Sequence, residues 1–253
     1  MKHVRMTQTG KQKIPLAMLP AVLLLMGVPA HAMHIMEGYL PASYCAAWGA
    51  ACLPFVAAGL RSIGKTMEEN RKALVLLAMS GAFIFAISSL KIPSGSGSCS
   101  HMTGTGLGAI LFGPSAVSIL GLIVLLFQAL LLGHGGLTTI GANTFSMAIA
   151  GPFVSWGIYL LCRKLKVNKR AGIFLAAALG DLVTYCVTAL QMALVHNADS
   201  TFGEALIKFL TVFAPTQIPL AVIEGIITVL IVMGLETYAK PELKAIGFLK
   251  EAK

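Results

Sequence analysis

The sequence is organised around one short stretch near its beginning, Met33-His34-Ile35-Met36-Glu37-Gly38-Tyr39-Leu40-Pro41, which directly follows Ala30-His31-Ala32. The small residues Ala30 and Ala32 form the pattern at which a signal peptidase cuts. Cleavage after Ala32 would give a mature chain that begins Met33-His34. The sequence therefore predicts a free α-amino group one residue before a histidine.

An amine in this position is a strong metal chelator. The Met33 amine and the His34 amide nitrogen close one chelate ring, and the same amide nitrogen and Nδ1 of His34 close a second. Three nitrogens then lie in one plane around a cation, which favours Ni(II), Cu(II) or low-spin Co(II). Calcium and magnesium prefer oxygen ligands. The alternative is that Met33-His34 is only the place where a signal ends.

Residues 1–32 have the layout of a secretory signal peptide. An apolar core from Ile14 to Val28 is too short for a spanning helix but typical of a signal. The basic region before it contains Lys2, Arg5, Lys11 and Lys13. If this leader stayed attached, it would be a membrane anchor and the amine ligand would be lost.

Composition places the rest of the chain in a membrane. Hydrophobic residues make up 57% of the 253 residues and charged residues only 11%. The net charge of +9 falls in short clusters between apolar runs, which is the orientation signal of membrane proteins rather than a nucleic-acid surface. The five cysteines are odd in number and show no paired spacing, so no disulfide framework is expected. Residues 33–253 are predicted to be a single polytopic membrane domain.

The predicted fold is an all-α membrane protein with about seven transmembrane helices after a cleaved signal peptide. A spanning helix needs about 20 apolar residues. Apolar runs cover residues 42–60, 73–90, 104–113, 115–133, 138–162, 171–195 and 217–238. The run at 104–113 is short and glycine-rich, so five spans with two re-entrant segments are the alternative.

Charge predicts the orientation. The basic loops at 61–72 and 163–170 and the basic tail from Lys240 all face the cytoplasm by the positive-inside rule. The mature N-terminus is then outside and the C-terminus cytoplasmic, in the cell membrane of a bacterium or an archaeon. The mature histidines, His34, His101, His134 and His196, all fall at the outer face.

His101 is the best candidate for a fourth nitrogen ligand. It follows the flexible small-residue loop Ser94-Gly95-Ser96-Gly97-Ser98, which allows it to fold onto the N-terminus. The alternative for His101 is an interfacial polar residue. His196 precedes a polar loop and is expected to be merely exposed.

Further polar residues are candidates for supporting the metal ligands or the ion pathway. His134 lies in a glycine-rich turn and Asn143 follows it, so either side chain could orient a ligand. Glu37 could hydrogen-bond the imidazole of His34 or His101 and fix its tautomer. Asp181 and Glu224 lie in apolar runs, where a carboxylate is costly. They indicate either an ion pathway or hydrogen bonding between helices.

Small residues recur on the first helix at Ala42, Ala46 and Ala50. Such a face allows another helix to approach closely. It serves either ordinary packing within the protein or docking of a membrane partner.

These motifs together resemble the CbiM/NikM family, the substrate-capturing membrane components of energy-coupling-factor cobalt and nickel transporters. The resemblance covers Met33 to about Glu236, and the opening Met-His-Ile-Met-Glu-Gly favours the cobalt branch. The matching stretches are Met33–Pro41, Ser98–His101, Thr103–Gly108, Leu130–Thr139, Gly141–Asn143 and Thr216–Pro219. Met102 stands where family members often carry proline.

The resemblance implies Co(II) as the transported ion, with Ni(II) as the alternative. It implies that Met33, through its amine, His34, through its backbone and ring nitrogens, and His101 hold the ion. The implied partners are a coupling membrane protein, a small accessory membrane protein and two ATPase subunits. The resemblance assigns ATP hydrolysis to those separate ATPase subunits, so we expect a transporter subunit without its own ATPase site. A secondary ion carrier is the less favoured alternative, and an intramembrane metalloenzyme the least.

Overall fold

The structure is a computed structural model that describes residues 31–32, 34–69, 71, 73–93, 98–198 and 201–249. The leader up to residue 30 and the proposed ligand Met33 lie outside the described residues. The signal peptide, its cleavage and the role of the Met33 amine therefore stay predictions.

Helices make up most of the described chain. In chain order the elements are β1 (His31–Ala32), α1 (Ala42–Glu69), α2 (Ala73–Ser89), β2 (Ile92–Pro93), β3 (Ser98–Ser100), α3 (Thr105–Phe112), α4 (Pro114–Leu132), α5 (Ile140–Lys164), α6 (Lys169–Ala193), α7 (Phe202–Tyr238) and α8 (Lys240–Ala245). Within α5, the segment Thr144–Ala150 is π-helical.

Each of the seven apolar runs between residues 42 and 238 falls largely within helix, and the protein is a multi-pass membrane protein. In the part of the chain that the structure describes, five helices are long and apolar enough to cross a membrane, namely α1, α4, α5, α6 and α7. Helix α2 has 17 residues, just under the usual length. Helix α3 has only 8 residues, about 12 Å of helix against a hydrocarbon core of about 30 Å. The number of seven crossings therefore stays a prediction.

The short α3 is closed by its sequence at both ends. Gly104, at its N-terminus, has φ 68°, a left-handed conformation that glycine adopts without strain. Gly113 follows with φ 83° and Pro114 then begins α4, where proline is well tolerated as the first helical residue. Helix α3 therefore ends after only about two turns.

The basic segments meet at one end of the molecule. Lys169, at the start of α6, forms an ion pair of 2.5 Å with Glu236 near the end of α7. Thr66 of α1 and Lys244 of α8 line one cavity together with Phe112 at the end of α3. This grouping agrees with the clustering of charge in the sequence, while the orientation across a membrane stays a prediction.

Close packing is concentrated in the second half of the chain, where α6 lies between α5 and α7. A Cβ added to Gly180 of α6 would lie 1.8 Å from Ser155 Oγ of α5, so only glycine permits this approach. Helix α1 is different, because most of its apolar surface is not covered by the rest of the described chain. Ala42, Ala46 and Ala50 are all exposed.

A small three-stranded sheet includes the residues directly before His101, and the sequence analysis did not predict it. β3 pairs with β1 in parallel, with His31 opposite Ser98, and with β2 antiparallel, with Ile92 opposite Ser100. The described cysteines, Cys45, Cys52, Cys162 and Cys186, are free thiols, in agreement with the expectation from the sequence.

Candidate metal centre

Three histidines from distant parts of the sequence meet at one buried point. His34, His101 and His134 each offer one ring nitrogen, and these atoms lie within 4.8 Å of one another. The three side chains are at most 2% exposed. Neutral imidazoles grouped in this way are typical ligands of late first-row metals.

The ring of His34 faces the ring of His101 through the two nitrogens that the sequence predicts as ligands. His34 Nδ1 lies 3.1 Å from His101 Nε2, and the two rings are nearly perpendicular, at 88°. Two nitrogens bound at right angles to one ion, each at about 2.0–2.1 Å, would be about 2.9 Å apart. The observed separation therefore suits adjacent positions on a single metal ion.

Hydrogen bonds fix the tautomer of each ring so that these two nitrogens are free of protons. His34 Nε2 lies 3.2 Å from Gln128 Oε1, and His101 Nδ1 lies 2.9 Å from the Met102 carbonyl oxygen. Because both partners are acceptors, the protons of the neutral rings lie on Nε2 of His34 and Nδ1 of His101. The remaining lone pairs point at each other, as metal ligands would.

Gln128 is a functional residue that the sequence analysis missed. It is fully buried in the apolar helix α4. Its Nε2 donates to Ser88 Oγ at 2.7 Å, which leaves Oε1 as the acceptor for His34. The signal for it was a single amide residue in an otherwise apolar run, since such residues inside a membrane usually face protein partners.

Asn143, at the end of the first turn of α5, holds the N-terminal segment by its backbone. Its Oδ1 accepts from the Ile35 N–H at 2.8 Å, and its Nδ2 donates to the Ile35 carbonyl at 3.0 Å. The Thr139 hydroxyl donates to the same carbonyl at 2.6 Å. Asn143 therefore supports the ligand segment without touching an imidazole.

Glu37 also holds this segment, but in a different way from that expected. Its carboxylate accepts from the Thr138 hydroxyl and, at 3.2 Å, from the Thr138 N–H. These bonds lower the pKa of the Glu37 carboxyl. The expected hydrogen bond to His34 or His101 is not made, because Gln128 and Met102 already accept the protons of those rings. Glu37 instead ties the segment to the loop between α4 and α5.

Gly136 in the same loop permits this close approach. A Cβ at Gly136 would lie 2.6 Å from the Glu37 backbone nitrogen and 2.7 Å from its Cα. Any larger residue would have to push the N-terminal segment away. The N-terminal segment therefore packs directly against the glycine-rich turn that was seen in the sequence.

His134 lies over His34, with ring centroids 4.5 Å apart and an angle of 28° between the planes. Both of its ring nitrogens are buried, and neither has a hydrogen-bond partner. A buried polar group without a partner is uncommon and costly. His134 is thus part of the histidine cluster, because its ring contacts the rings of both His34 and His101.

The environment keeps all three imidazoles neutral. Burial lowers the pKa of His101 to about 4. Burial, and next the neighbouring His101, lower the pKa of His34 well below its usual value. Burial followed by the charges of His34 and His101 lowers that of His134. A neutral imidazole is the form that binds metals.

The segment that carries His101 rests on α7. Gln217 Nε2 donates to the His101 carbonyl at 3.2 Å and to Asp181 Oδ2 at 2.5 Å. Glu224 accepts from the Thr103 N–H at 2.6 Å and from the Gly104 N–H at 2.9 Å. The sequence left two roles open for Asp181 and Glu224, an ion pathway or hydrogen bonding between helices. The contacts described here correspond to the second role.

His196 lies at the same end of the molecule but outside the cluster. Its Nε2 is 3.1 Å from the Tyr39 carbonyl oxygen, in an exposed position. It therefore contacts the end of the N-terminal segment rather than the metal-binding end.

Comparison with known proteins gives a family match over nearly the whole described chain. Residues 34–243 match the family model described as CbiM, cobalt uptake substrate-specific transmembrane region. A cobalt transport protein CbiM from Lachnoclostridium phytofermentans is 64% identical over 242 residues, covering 94% of this chain and 97% of that protein. Another from Chlorobium limicola is 57% identical over 229 residues, covering 90% of each.

Solved structures agree in fold. A crystal structure of a truncated transition metal transporter superimposes with a TM-score of 0.72 at 30% identity, covering 81% of this chain and 99% of that one. A second transition metal transporter gives a TM-score of 0.71 at 31% identity and covers 81% of this chain and 92% of that one.

Proposed function

Because the chain belongs to the CbiM family of cobalt uptake substrate-specific transmembrane proteins, we propose that it is the substrate-capture subunit of an ATP-driven cobalt(II) uptake transporter. Its mature N-terminus and a loop histidine bind the ion at the outer face of the membrane. The protein binds and carries the ion and performs no chemical reaction on it.

The observation that carries the proposal is the pair of unprotonated nitrogens, His34 Nδ1 and His101 Nε2, 3.1 Å apart. With the Met33 amine and the His34 amide nitrogen, they would make the planar set of four nitrogens that we propose for the bound ion. Each ligand histidine donates its other ring proton to a protein acceptor, an arrangement that orients metal-bound imidazoles in general. These two acceptors therefore orient both rings for metal binding.

Cobalt is the proposed substrate because the relatives at 52–64% identity are named as cobalt transport proteins. Nickel(II) uptake by the same mechanism is the second candidate, since a planar nitrogen set suits Ni(II) equally well. A secondary carrier that works without ATPases is less well supported, because Asp181 and Glu224 already serve as hydrogen-bond acceptors for Gln217, Thr103 and Gly104.

Transport requires partners. The proposed complex contains a coupling membrane protein, a small accessory membrane protein and two ATPase subunits. ATP-driven rearrangement of these partners would reorient the loaded subunit and open the site for release inside. The exposed Ala42, Ala46 and Ala50 face of α1 is the proposed docking surface.

The proposal is tested by intact mass and Co(II) binding of the mature protein. We expect a mature chain that begins at Met33, and one equivalent of Co(II) bound. His34→Ala and His101→Ala should abolish binding. Insertion of one residue between Ala32 and Met33 should do the same, because the amine is displaced from the chelate.

The matched control is His196→Ala, a histidine at the same end of the molecule that lies outside the cluster, near Tyr39 and Phe209. This variant should bind Co(II) as the unaltered protein does. Normal cobalt binding by the insertion variant would show that the amine is not a ligand, and a leader retained in the active transporter would have the same consequence.

A further inference from the structure

Two separate sets of residues hold the two halves of the metal site. The N-terminal segment with His34 is held by α4, by the loop that follows it and by α5. The segment with His101 is held by α7, with support from α6. The hydrogen bonds of the described residues define this division.

The first set reaches residues 34–37. Gln128 binds the ring of His34, Asn143 and Thr139 bind the Ile35 backbone, and Thr138 binds the Glu37 carboxylate. Farther along the segment, His196 contacts the Tyr39 carbonyl. None of these bonds involves the segment that carries His101.

The second set reaches residues 100–104, and it comes largely from one helix. Thr216 Oγ1 lies 2.7 Å from Ser100 Oγ. One residue further on, Gln217 donates to the His101 carbonyl at 3.2 Å. Two turns further along α7, Glu224 accepts from both the Thr103 and Gly104 N–H groups. Helix α7 therefore holds the backbone on both sides of the ligand.

Glu224 is the principal contact of this set. It is 1% exposed, and its carboxylate accepts from two backbone N–H groups and from the Thr103 hydroxyl at 3.0 Å. These N–H groups lie at the start of α3, where Gly104 offers no side-chain cap. Charge-assisted bonds of this kind are about twice as strong as neutral ones, and they explain why a carboxylate is retained among apolar helices.

Between the two segments, the ring of His101 contacts the rings of His34 and His134. The described backbone pairing between them is that of β1 with β3, through His31 and Ala32. Cleavage after Ala32 would remove those residues from the mature chain. The ion itself, bound to His34 and His101, would then be the main bridge between the two segments.

We propose that Glu224 and Gln217 of α7 are positioning residues for metal binding, which hold His101 Nε2 opposite His34 Nδ1. The inference rests on the proposed function of the site. It makes α7 the helix whose displacement separates the two halves and releases the ion. Helix α7 has 37 residues and contains Pro215 and Pro219, next to the contacts with Ser100 and His101. Its other end, at Glu236, is tied to the basic segment of α6.

The test is a double-variant cycle with Cu(II) as the probe, measured on the purified mature chain. Cu(II) stands at the top of the Irving–Williams order, so the three N-terminal nitrogens should bind it measurably even after His101→Ala. The four proteins are the unaltered chain, Glu224→Gln, His101→Ala and the double variant. Affinity is measured by competition, and the number of nitrogen ligands by electron paramagnetic resonance.

Glu224→Gln keeps the shape of the side chain but turns an amide donor towards backbone donors. We expect Cu(II) affinity to fall by about 10- to 100-fold, the usual effect of losing a partner of a ligand. The spectrum should change from four nitrogens to three, as in His101→Ala. In the His101→Ala background, Glu224→Gln should cause no further loss, because it acts through that histidine.

Equal losses in both backgrounds, or an unchanged spectrum, would overturn the proposal. Thr228→Val is the matched control, since Thr228 is buried one turn further along α7 and its hydroxyl has no partner; its spectrum should keep four nitrogens. If Glu224→Gln does not fold, Gln217→Met replaces it in the same cycle with the same criterion. Failure of the proposed function would appear differently, as unaltered metal binding after His34→Ala.

Discussion

At the residue level, the site depends on which ring nitrogen keeps its proton. His34 Nε2 is committed to Gln128 and His101 Nδ1 to the Met102 carbonyl. Each ring is therefore left with a single lone pair, directed at the other ring across 3.1 Å. A metal ion relieves the mutual repulsion of two facing lone pairs. Metal binding therefore replaces an unfavourable contact between two nitrogens with two favourable metal–ligand bonds, which favours capture of the ion.

The number of protons released on binding identifies the remaining ligands. Burial keeps the imidazoles neutral, with the pKa of His101 lowered to about 4, so they release no protons near neutral pH. A terminal amine has an ordinary pKa of about 7.7–8.0 and is mostly protonated at pH 7. Binding through the Met33 amine and the His34 amide should therefore release about two protons for each Co(II) at that pH.

Calorimetry in two buffers of different ionisation enthalpy measures this number. Because protons compete with the metal for the amine, affinity should fall as the pH drops below about 8. A site built only from His34, His101 and His134 would release almost none and keep its affinity down to about pH 5. That second result would rule out the amine chelate.

Single residues also mark the limit of what sequence reasoning could reach. The chelating spacing of Met33-His34 follows from bond geometry, and His101 could be predicted as a ligand because it follows a segment of small residues. Gln128 and Gln217 were not assigned roles as partners of the ligands, because their partners lie 94 and 116 residues away in the chain. Glu37 was given the wrong partner, since Thr138 supplies closer donors than either imidazole.

At the element level, the N-terminal segment has no regular secondary structure between residues 34 and 36. It is fixed instead by side chains that imitate a neighbouring strand. Asn143 offers one donor and one acceptor to the Ile35 peptide groups, which is what a β-ladder would offer. The π-helical segment that begins at Thr144 follows immediately, and π-helical turns are frequent at functional sites.

Gly136→Ala tests the packing of this segment against the glycine-rich turn. The new methyl group would lie 2.6 Å from the Glu37 nitrogen, so the segment must move away. Overpacking of this kind costs about 1–3 kcal/mol of free energy. We expect the free energy of Co(II) binding to become less favourable by up to this amount. Titration of the purified chain with Co(II) measures the change.

Gly157→Ala in α5 is the control for that variant, because its added methyl group has nothing within 4 Å. It should leave affinity unchanged. If both variants bind Co(II) equally well, the contact between Gly136 and Glu37 does not position the ligand segment.

The helices themselves were accessible from the sequence because long apolar runs have few alternatives in a membrane. Their lengths were less accessible. Helix α7 begins 15 residues before the predicted run at 217, because Thr201 and Glu204 form a capping box at its start. Helix α3 stays short because Gly113 and Pro114 end it. The three short strands could not be predicted from a sequence pattern, since they contain only two or three residues each.

For the whole molecule, the histidine cluster and the basic segments occupy different ends. The basic segments of α6 and the region of α8 meet through Lys169, Glu236 and Phe248. The histidine cluster is formed by the segment before α1, the segment before α3 and the loop between α4 and α5. The positive-inside rule predicts that the basic end faces the cytoplasm, and we therefore expect the cluster to face the side from which an ion is taken up.

The exposed small-residue face of α1 leads to a prediction about assembly. Ala46 is exposed at the centre of the Ala42, Ala46 and Ala50 face, where a partner helix could approach closely. Ala46→Leu should leave Co(II) binding by the isolated chain unchanged, because the change lies away from the histidines. It should reduce cobalt uptake and co-purification with the coupling membrane protein, since the larger side chain keeps a docked helix at a distance.

Ala47→Leu is the matched control, because Ala47 is exposed on the same helix but about 100° around its axis from Ala46. It adds the same bulk to a face that would contact lipid, so uptake should be preserved. Uptake measured in cells that carry the complete transporter separates the two variants. Equal uptake by both would place the docking surface elsewhere, and a loss of Co(II) binding in Ala46→Leu would tie this face to the site rather than to a partner.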